Sequence, residues 1–339
     1  MAVTHDPRNA NQLIDMTDEI NQIDRQYAIF DDSLFDFRPT TQTAILFDIN
    51  ATTTTLLPAS ERGSRGSSYG SDDTVETRAI PLGYFKHSDA VTQEDILGVR
   101  QPGTANGMRQ VDVAVAEKLE KMRRQADQTL EYMKLKAVAE GKCVSPDGVE
   151  YVDMFNELGI VRTNISLDVG TATTDIGAKL REIKRTVRAN LKNGGMFNGY
   201  DLYLAPDLYE AVITHDSMKE AYKYFAAQVN PMREDITEMF RTNGVNIYSL
   251  DGSFKLPTGS SADLVASNTG FVVPRVDGLF RGYYGPSSKL SRTHVEGAVE
   301  PMYAWTYDDG RDEAIETTIE MAPLVFPTEV ACLLSVSAA

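Results

Sequence analysis

One stretch constrains this chain more than any other. Val111, Val115, Leu119, Met122, Ala126, Leu130, Met133 and Ala137 follow one another at steps of three or four, the spacing that puts side chains on one face of an α-helix. Gly141 supplies a C-terminal stop. The pattern predicts one helix over 109–141, about 48 Å long at 1.5 Å per residue, against about 11–12 residues for an ordinary globular helix. A helix of that length is a strut on which other elements lean. Its basic residues Lys118, Lys121, Arg123, Arg124, Lys134 and Lys136 interleave with Glu117, Glu120, Asp127 and Glu131. That reads first as a salt-bridged, solvated face and second as an intersubunit contact.

The bulk numbers set the outer limits. A chain of 339 residues with 42% hydrophobic content suits about two domains of ordinary size. The formal net charge of −16 argues against a tight nucleic-acid binder, which needs a surplus of Lys and Arg to neutralise phosphates. The two cysteines, Cys143 and Cys332, show neither metal spacing nor a disulfide framework, so they read as small buried hydrophobes of a reducing compartment. The opening MAVTHDPRNA lacks a charged and then apolar signal region, and no run approaches about eighteen apolar residues. The expectation is a soluble protein made inside a cell.

Residues 9–27 carry a thin helical stripe, Leu13, Met16, Ile20, Ile23 and Tyr27, on a polar arm that either docks elsewhere or packs on its own core. A strand-like run from Thr43 to Ile49 and a return run from Thr74 to Ile80 flank a Gly/Ser/Arg-rich tip around Arg62, Arg65 and Tyr69, which predicts a long projecting hairpin. Thr92 with Asp95 resembles an N-cap pair before a short helix. After the strut, Ser145-Pro146-Asp147-Gly148 is a turn between two short strands. The spacing of Ile176, Leu180, Ile183, Val187 and Leu191 predicts a helix over 174–191, stopped by Asn193-Gly194-Gly195. Leu202–Ala205 is a buried-strand candidate, Pro206 opens a helical hairpin to Ala227, and Val245–Tyr248 and Gly270–Val273 are further strands. Tyr303, Trp305 and Tyr307 alternate with Ala304 and Thr306, a turn at Asp308-Asp309-Gly310 follows, and Ile315 to Met321 returns.

No constellation for catalysis emerges. His5, His87, His215 and His294 stand in separate segments without metal-ligand spacing. There is no nucleophile elbow, so His87-Ser88-Asp89 makes no triad. There is no phosphate loop or dinucleotide fingerprint. Asp308, Asp309 and Asp312 lack the rest of a calcium loop. No cofactor or metal is called for. An arm, a projecting hairpin, a strut, an α/β domain and a closing β-hairpin suit a subunit whose projections lie on neighbours.

The order of these parts resembles the tailed-phage major capsid proteins of the Hong Kong 97-type fold, in their lambda-like branch. The resemblance rests on Arg78-Ala79-Ile80-Pro81-Leu82-Gly83-Tyr84-Phe85-Lys86, then Asp95-Ile96 and the long helix ending Ala139-Glu140-Gly141-Lys142. It also rests on Asp207-Leu208-Tyr209 after the strand ending at Pro206, and on Glu320-Met321-Ala322-Pro323-Leu324-Val325 followed by Leu333-Leu334-Ser335-Val336.

The resemblance implies an α+β chain divided into an N-arm (1–42), an extended E-loop hairpin (43–82), a peripheral P-domain with the spine helix (83–148), an axial α/β A-domain (149–294), and P-domain strands with a C-terminal segment (295–339). It implies pentamers and hexamers closing an icosahedral shell around double-stranded DNA, bound without sequence specificity, in a virion assembled in the host cytoplasm. Separate scaffolding, portal and decoration proteins are candidate partners, and no membrane is involved. The short N-arm implies a separate scaffold or none. Some relatives crosslink through an E-loop lysine; here the first lysine is Lys86, so a non-crosslinked shell is expected. Candidate intersubunit contacts are Arg62, Arg65, Tyr69, Asp72 and Asp73 on the hairpin tip, Lys118, Arg123 and Arg124 on the strut, and Asp309 and Arg311 at the closing turn. The alternatives are an encapsulin-like nanocompartment shell and an intracellular α/β enzyme.

Overall fold

The computed structural model describes residues 14–25, 28–50, 75–97, 111–191, 197–219, 239–242, 244–289, 299–308 and 314–339. The chain begins with β1 (Ile14–Asp15), α1 (Thr17–Gln22) and β2 (Phe35–Pro39). The hairpin arms β3 (Ala44–Asn50) and β4 (Val75–Pro81) follow, then β5 (Phe85–Thr92) and α2 (Gln93–Ile96). The strut is α3 (Val111–Glu140), 30 residues or about 45 Å long. Next come β6 (Lys142–Val144), β7 (Glu150–Asp153), α4 (Met154–Glu157), β8 (Asn164–Ser166), α5 (Ile176–Asn190), β9 (Tyr200–Leu204) and α6 (Pro206–Thr214). The remainder is strand: β10 (Met239–Thr242), β11 (Val245–Ser249), β12 (Ser253–Lys255), β13 (Ser261–Asp263), β14 (Thr269–Pro274), β15 (Phe280–Tyr284), β16 (Tyr303–Asp308), β17 (Ala314–Met321), β18 (Pro323–Pro327) and β19 (Ser335–Ser337).

Two compact units share this chain. The first comprises 1–43, 81–134 and 281–325. Its antiparallel sheet has the order β1-β16-β17-β5, with Trp305 opposite Thr318 and Ile319 opposite His87. Period-2 alternation turns Met302, Ala304, Ile319 and Met321 to one face, where Leu119, Met122 and Ala126 of α3 meet them with Ile20 of α1. The apolar stripe of the helix therefore does cover the subunit's own sheet. The expected arm helix over 9–27 is shorter: α1 is six residues long. Met16, Ile20 and Ile23 of the stripe pack on this core, while Leu13 and Tyr27 lie outside the described residues.

The second unit comprises 44–80, 135–280 and 326–339. A six-stranded mixed sheet of order β10-β11-β9-β14-β19-β8 organises it. β11 runs parallel to β9, and β19 runs parallel to β8. α5 buries Ile176, Leu180, Ile183 and Val187 in the same core as Leu202 and Leu204 of β9, Leu208 and Val212 of α6, and Val272 of β14. Each such side chain contributes about 1.5–3 kcal/mol. Pro206 starts α6 at a position that has no helical partner for an N–H. The second half of the expected helical hairpin from 220 onward, the Asn193-Gly194-Gly195 stop and the turn at Asp309-Gly310 lie outside the described residues.

The C-terminal part of the chain is shared between the two units. Residues 281–325 belong to the first unit and 326–339 to the second. There β19 lies between β14 and β8, with Phe271 opposite Ser335 and Val336 opposite Ile165. The physical reason is burial: Leu334 and Val336 lose their solvent to the six-stranded core. Both cysteines are buried thiols, as read from the sequence, and burial pushes the Cys332 thiol up to about 12.

The strut ends as its sequence requires. Gly141 has φ +69, and its N–H donates to the Ala137 carbonyl at 3.1 Å. A Cβ there would stand 2.7 Å from Cε2 of Phe155. Replacing Gly141 by Ala is expected to lower stability by at least about 1–2 kcal/mol, the cost of left-handed backbone for an L-residue; an unchanged urea midpoint would contradict this.

Candidate assembly interface

The resemblance implies that the working surfaces are those offered to copies of the same chain, and a side chain already used within its own chain is not available for such a contact. The hairpin tip residues Arg62, Arg65, Tyr69, Asp72 and Asp73, and Asp309 and Arg311 at the closing turn, lie outside the described residues. The three strut residues are described, and they part company.

Lys118 and Arg123 are occupied within the subunit. The Lys118 ammonium sits 3.2 Å from Asp89 on β5 and 3.0 Å from Asp95 on α2, and it also donates to the Ala90 carbonyl. Burial lowers the Lys118 pKa, but the two carboxylates outweigh it and the net direction is upward. Asp95 is doubly used, because its carboxylate also accepts the Thr92 N–H at 3.0 Å and so caps α2 as the sequence pair suggested. Arg123 pairs with Asp127 at 3.2 Å and donates to the Ile20 carbonyl at 3.1 Å. Arg124 alone of the three is well exposed, 3.5 Å from Glu120. An exposed helix pair of this kind contributes about 0.3–0.5 kcal/mol.

The solvated face expected for the strut holds at Glu117, Glu120, Lys121 and Arg124, which are exposed, and is corrected for four other charges. Asp127, Glu131 and Lys134 are each 0% exposed, and Arg123 is nearly so. These four recur at steps of four, four and three, forming a second stripe that the chain buries beside the apolar one. Arg25, between α1 and β2, pairs with both Glu131 and Asp32. Lys134 lies 3.0 Å from Glu131 and 3.5 Å from Asp32, over the rings of Phe35 and Phe37 at 5.1 and 5.2 Å. The Ile29 N–H donates to the other Glu131 oxygen at 2.9 Å. Burial raises the Asp32 pKa, but the Arg25 guanidinium and the Lys134 ammonium outweigh it and hold the carboxyl below its usual range. What the sequence lacked was the partner: Arg25 and Asp32 stand about a hundred residues upstream.

Another buried carboxylate pins the segment after β15. Glu320, 1% exposed, accepts the Ser288 N–H and, at 3.0 Å, its hydroxyl. Lys289 then lies 4.9 Å from the ring centroid of Trp305.

The hairpin arms show the opposite character. β3 and β4 pair only with each other among the described residues. Phe47 turns inward to an edge-on contact with Phe326 at 5.6 Å, so its neighbour Leu46 turns outward and is 65% exposed. Elsewhere Tyr84, Leu97, Val149 and Met239 are exposed large hydrophobics, and Val161 is 89% exposed. Among the described residues no group of three or more His, Cys, Asp or Glu could hold a metal ion.

Comparison with known proteins bears on this arrangement. The family model for phage major capsid protein E matches residues 12–338. The chain is 28% identical to the major capsid protein of Salmonella phage Felix O1 over 99% of this chain and 98% of that protein. It is 25% identical to the major capsid protein of Pseudomonas phage KPP10, covering 85% of each. Among solved structures, the mature capsid of bacteriophage PhiM1 aligns with a TM-score of 0.53 at 12% identity, covering 93% of this chain and 89% of that one; that likeness is one of fold. The matches favour a phage capsid over a nanocompartment shell or an enzyme.

Two outcomes follow from the buried charges. Glu131→Ala leaves Lys134 buried beside a lone Asp32, and is expected to cost about 3–5 kcal/mol. The double change Glu131→Leu with Lys134→Met is expected to recover most of that loss, since a packed apolar pair replaces the ions; denaturant titration of the three chains reads the difference. The Asp32 shift sets a pH dependence. A depressed folded pKa contributes stability that is present above the unfolded value of 3.8 and is lost as pH falls through the folded one. The stability gap between the wild type and Asp32→Asn is therefore expected to be open at neutral pH and to close below the carboxylate range. A gap that persists in acid would contradict the assignment.

Proposed function

Because the chain belongs to the phage major capsid protein E family, and so is the major capsid protein of a tailed phage with the Hong Kong 97-type fold, we propose how its parts divide the work of the shell. The observation that carries the reading is the β3–β4 hairpin. A two-stranded hairpin is marginal in water by itself, and this one turns Leu46 outward. Both costs are relieved when it lies on a neighbouring subunit. It is the E-loop (43–82), its tip residues Arg62, Arg65, Tyr69, Asp72 and Asp73 meeting that neighbour.

Residues 1–42 are the N-arm, 83–148 the P-domain with α3 as its spine, and 149–294 the A-domain at the symmetry axes. Strands within 295–325 complete the P-domain, and the segment from 326 serves the A-domain sheet. Arg124, Asp309 and Arg311 remain as candidate intersubunit contacts, whereas Lys118 and Arg123 hold their own subunit together. One sequence then makes heterologous contacts that close into both pentamers and hexamers. Each contact can be weak because every subunit makes many at once. The shell encloses double-stranded DNA without sequence-specific contacts, and the subunit has no catalytic role. Separate scaffolding, portal and decoration proteins are the further partners.

Negative-stain microscopy and gel filtration of the purified chain are expected to show closed shells or capsomers; a monomer under all conditions would contradict the assembly reading. With no lysine before Lys86, the shell is expected to dissolve to single chains on boiling in dodecyl sulfate. A covalent ladder on that gel would refute the non-crosslinked shell.

A further inference from the structure

α5 concentrates positive charge in a protein that is otherwise acidic. Its 15 residues include Lys179, Arg181, Lys184, Arg185 and Arg188, against Glu182 alone. The whole chain has a formal charge of −16. The apolar face of the helix is spent on its own core, where Ile176, Leu180, Ile183 and Val187 are buried. Arg181, Arg185 and Arg188 are exposed on the opposite arc, and Lys179 and Lys184 are half-buried at its edges.

The chain neutralises part of that arc. Lys179 pairs with Asp168 at 2.9 Å, and Arg181 with Asp175 at 3.1 Å. Arg188 lies over the ring of Phe197 at 5.3 Å, a contact that leaves its charge uncompensated. Lys184 and Arg185 have no counter-charge among the described residues. The same unit carries exposed carboxylates with no ion-pair partner among the described residues: Asp251 and Asp263 beside the β12–β13 pair, and Asp277.

We propose that the solvent face of α5, centred on Lys184 and Arg185, is an intersubunit surface that receives an acidic face of a second copy of this chain. This rests on the capsid reading above. Copies that each carry strong negative charge repel on approach. A heterologous contact joins two different patches of the same chain, so one basic patch set against the acidic remainder turns that repulsion into complementarity. Such complementarity fixes register and excludes wrong pairings more than it adds affinity. Packaged DNA is the less suited occupant. Binding to a duplex grows with the number of phosphates neutralised, and this arc offers only Lys184, Arg185 and Arg188 uncompensated, on an acidic body.

Acylation footprinting with a small amine-reactive ester separates the outcomes. It is applied to dissociated subunits, to DNA-free shells and to DNA-filled particles of the full chain. Lys184 is expected to react about tenfold more slowly in DNA-free shells than in subunits, as for a site reached only during brief opening. Equal reactivity in subunits and DNA-free shells overturns the proposal. Protection that appears only in filled particles also overturns it, in favour of a DNA contact. The variant Lys184→Glu with Arg185→Glu is expected to melt as the wild type does, because the changes are on the surface, and to lose most of its shell yield. Normal shells from this variant overturn the proposal. A wild-type chain that forms no shell under any condition instead sinks the assembly reading, and this interface with it.

Discussion

A carboxylate with no access to water is tolerable only where cations and amide donors reach it, and Glu131 in the middle of α3 is such a group. Arg25, Lys134 and the Ile29 N–H all converge on it. This network ties the N-terminal segment to α3, with Arg123 and its bond to the Ile20 carbonyl extending the tie one turn at a time toward the helix start. Removing Glu131 leaves buried Lys134 with Asp32 as its remaining carboxylate and takes away the acceptor of the Ile29 N–H. Arg25, Ile29 and Asp32 are thus tied to α3 by polar contacts, beside the apolar contacts of Ile20 and Ile23.

That network changes the meaning of the strut. A helix with one apolar stripe needs one covering sheet, and α3 has that from β16 and β17 in the first unit. Beyond Leu130 the helix is buried almost all round, with Tyr132, Leu135 and Val138 joining the stripe residues. Such a helix would ordinarily be apolar on every side. Here Glu131 and Lys134 take interior positions because they neutralise each other and the arm supplies the rest. The exposed charges of α3 lie elsewhere on the helix, around Arg124 and Glu120.

Much of the fold was legible in the residues. The helix stop at Gly141, the turn at Ser145–Gly148, the α5 stripe, the Pro206 start and the alternating strands around Trp305 all follow from local rules. Each depends only on neighbours within a few positions, through backbone geometry or side-chain period. The placement of β8 and β19 was not legible, because three-residue strands carry too little pattern and their pairing joins Asn164 to Ser335. The fate of the strut charges was illegible for the same reason. Glu and Lys at helical spacing read as solvated, since such residues are rarely buried unless paired, and their partners are remote in sequence.

By itself the sequence determined the long helix, its amphipathic start, the hairpin arms, the charge balance and the absence of a local catalytic motif, because these are properties of short windows or of composition. Only the tertiary structure decided which charges stay inside the subunit, where the C-terminal strand inserts, and that Leu46 faces outward while Phe47 faces in. Those outcomes depend on contacts between distant segments. Desolvation and pairing there are settled by what the fold brings together, and no local pattern records it.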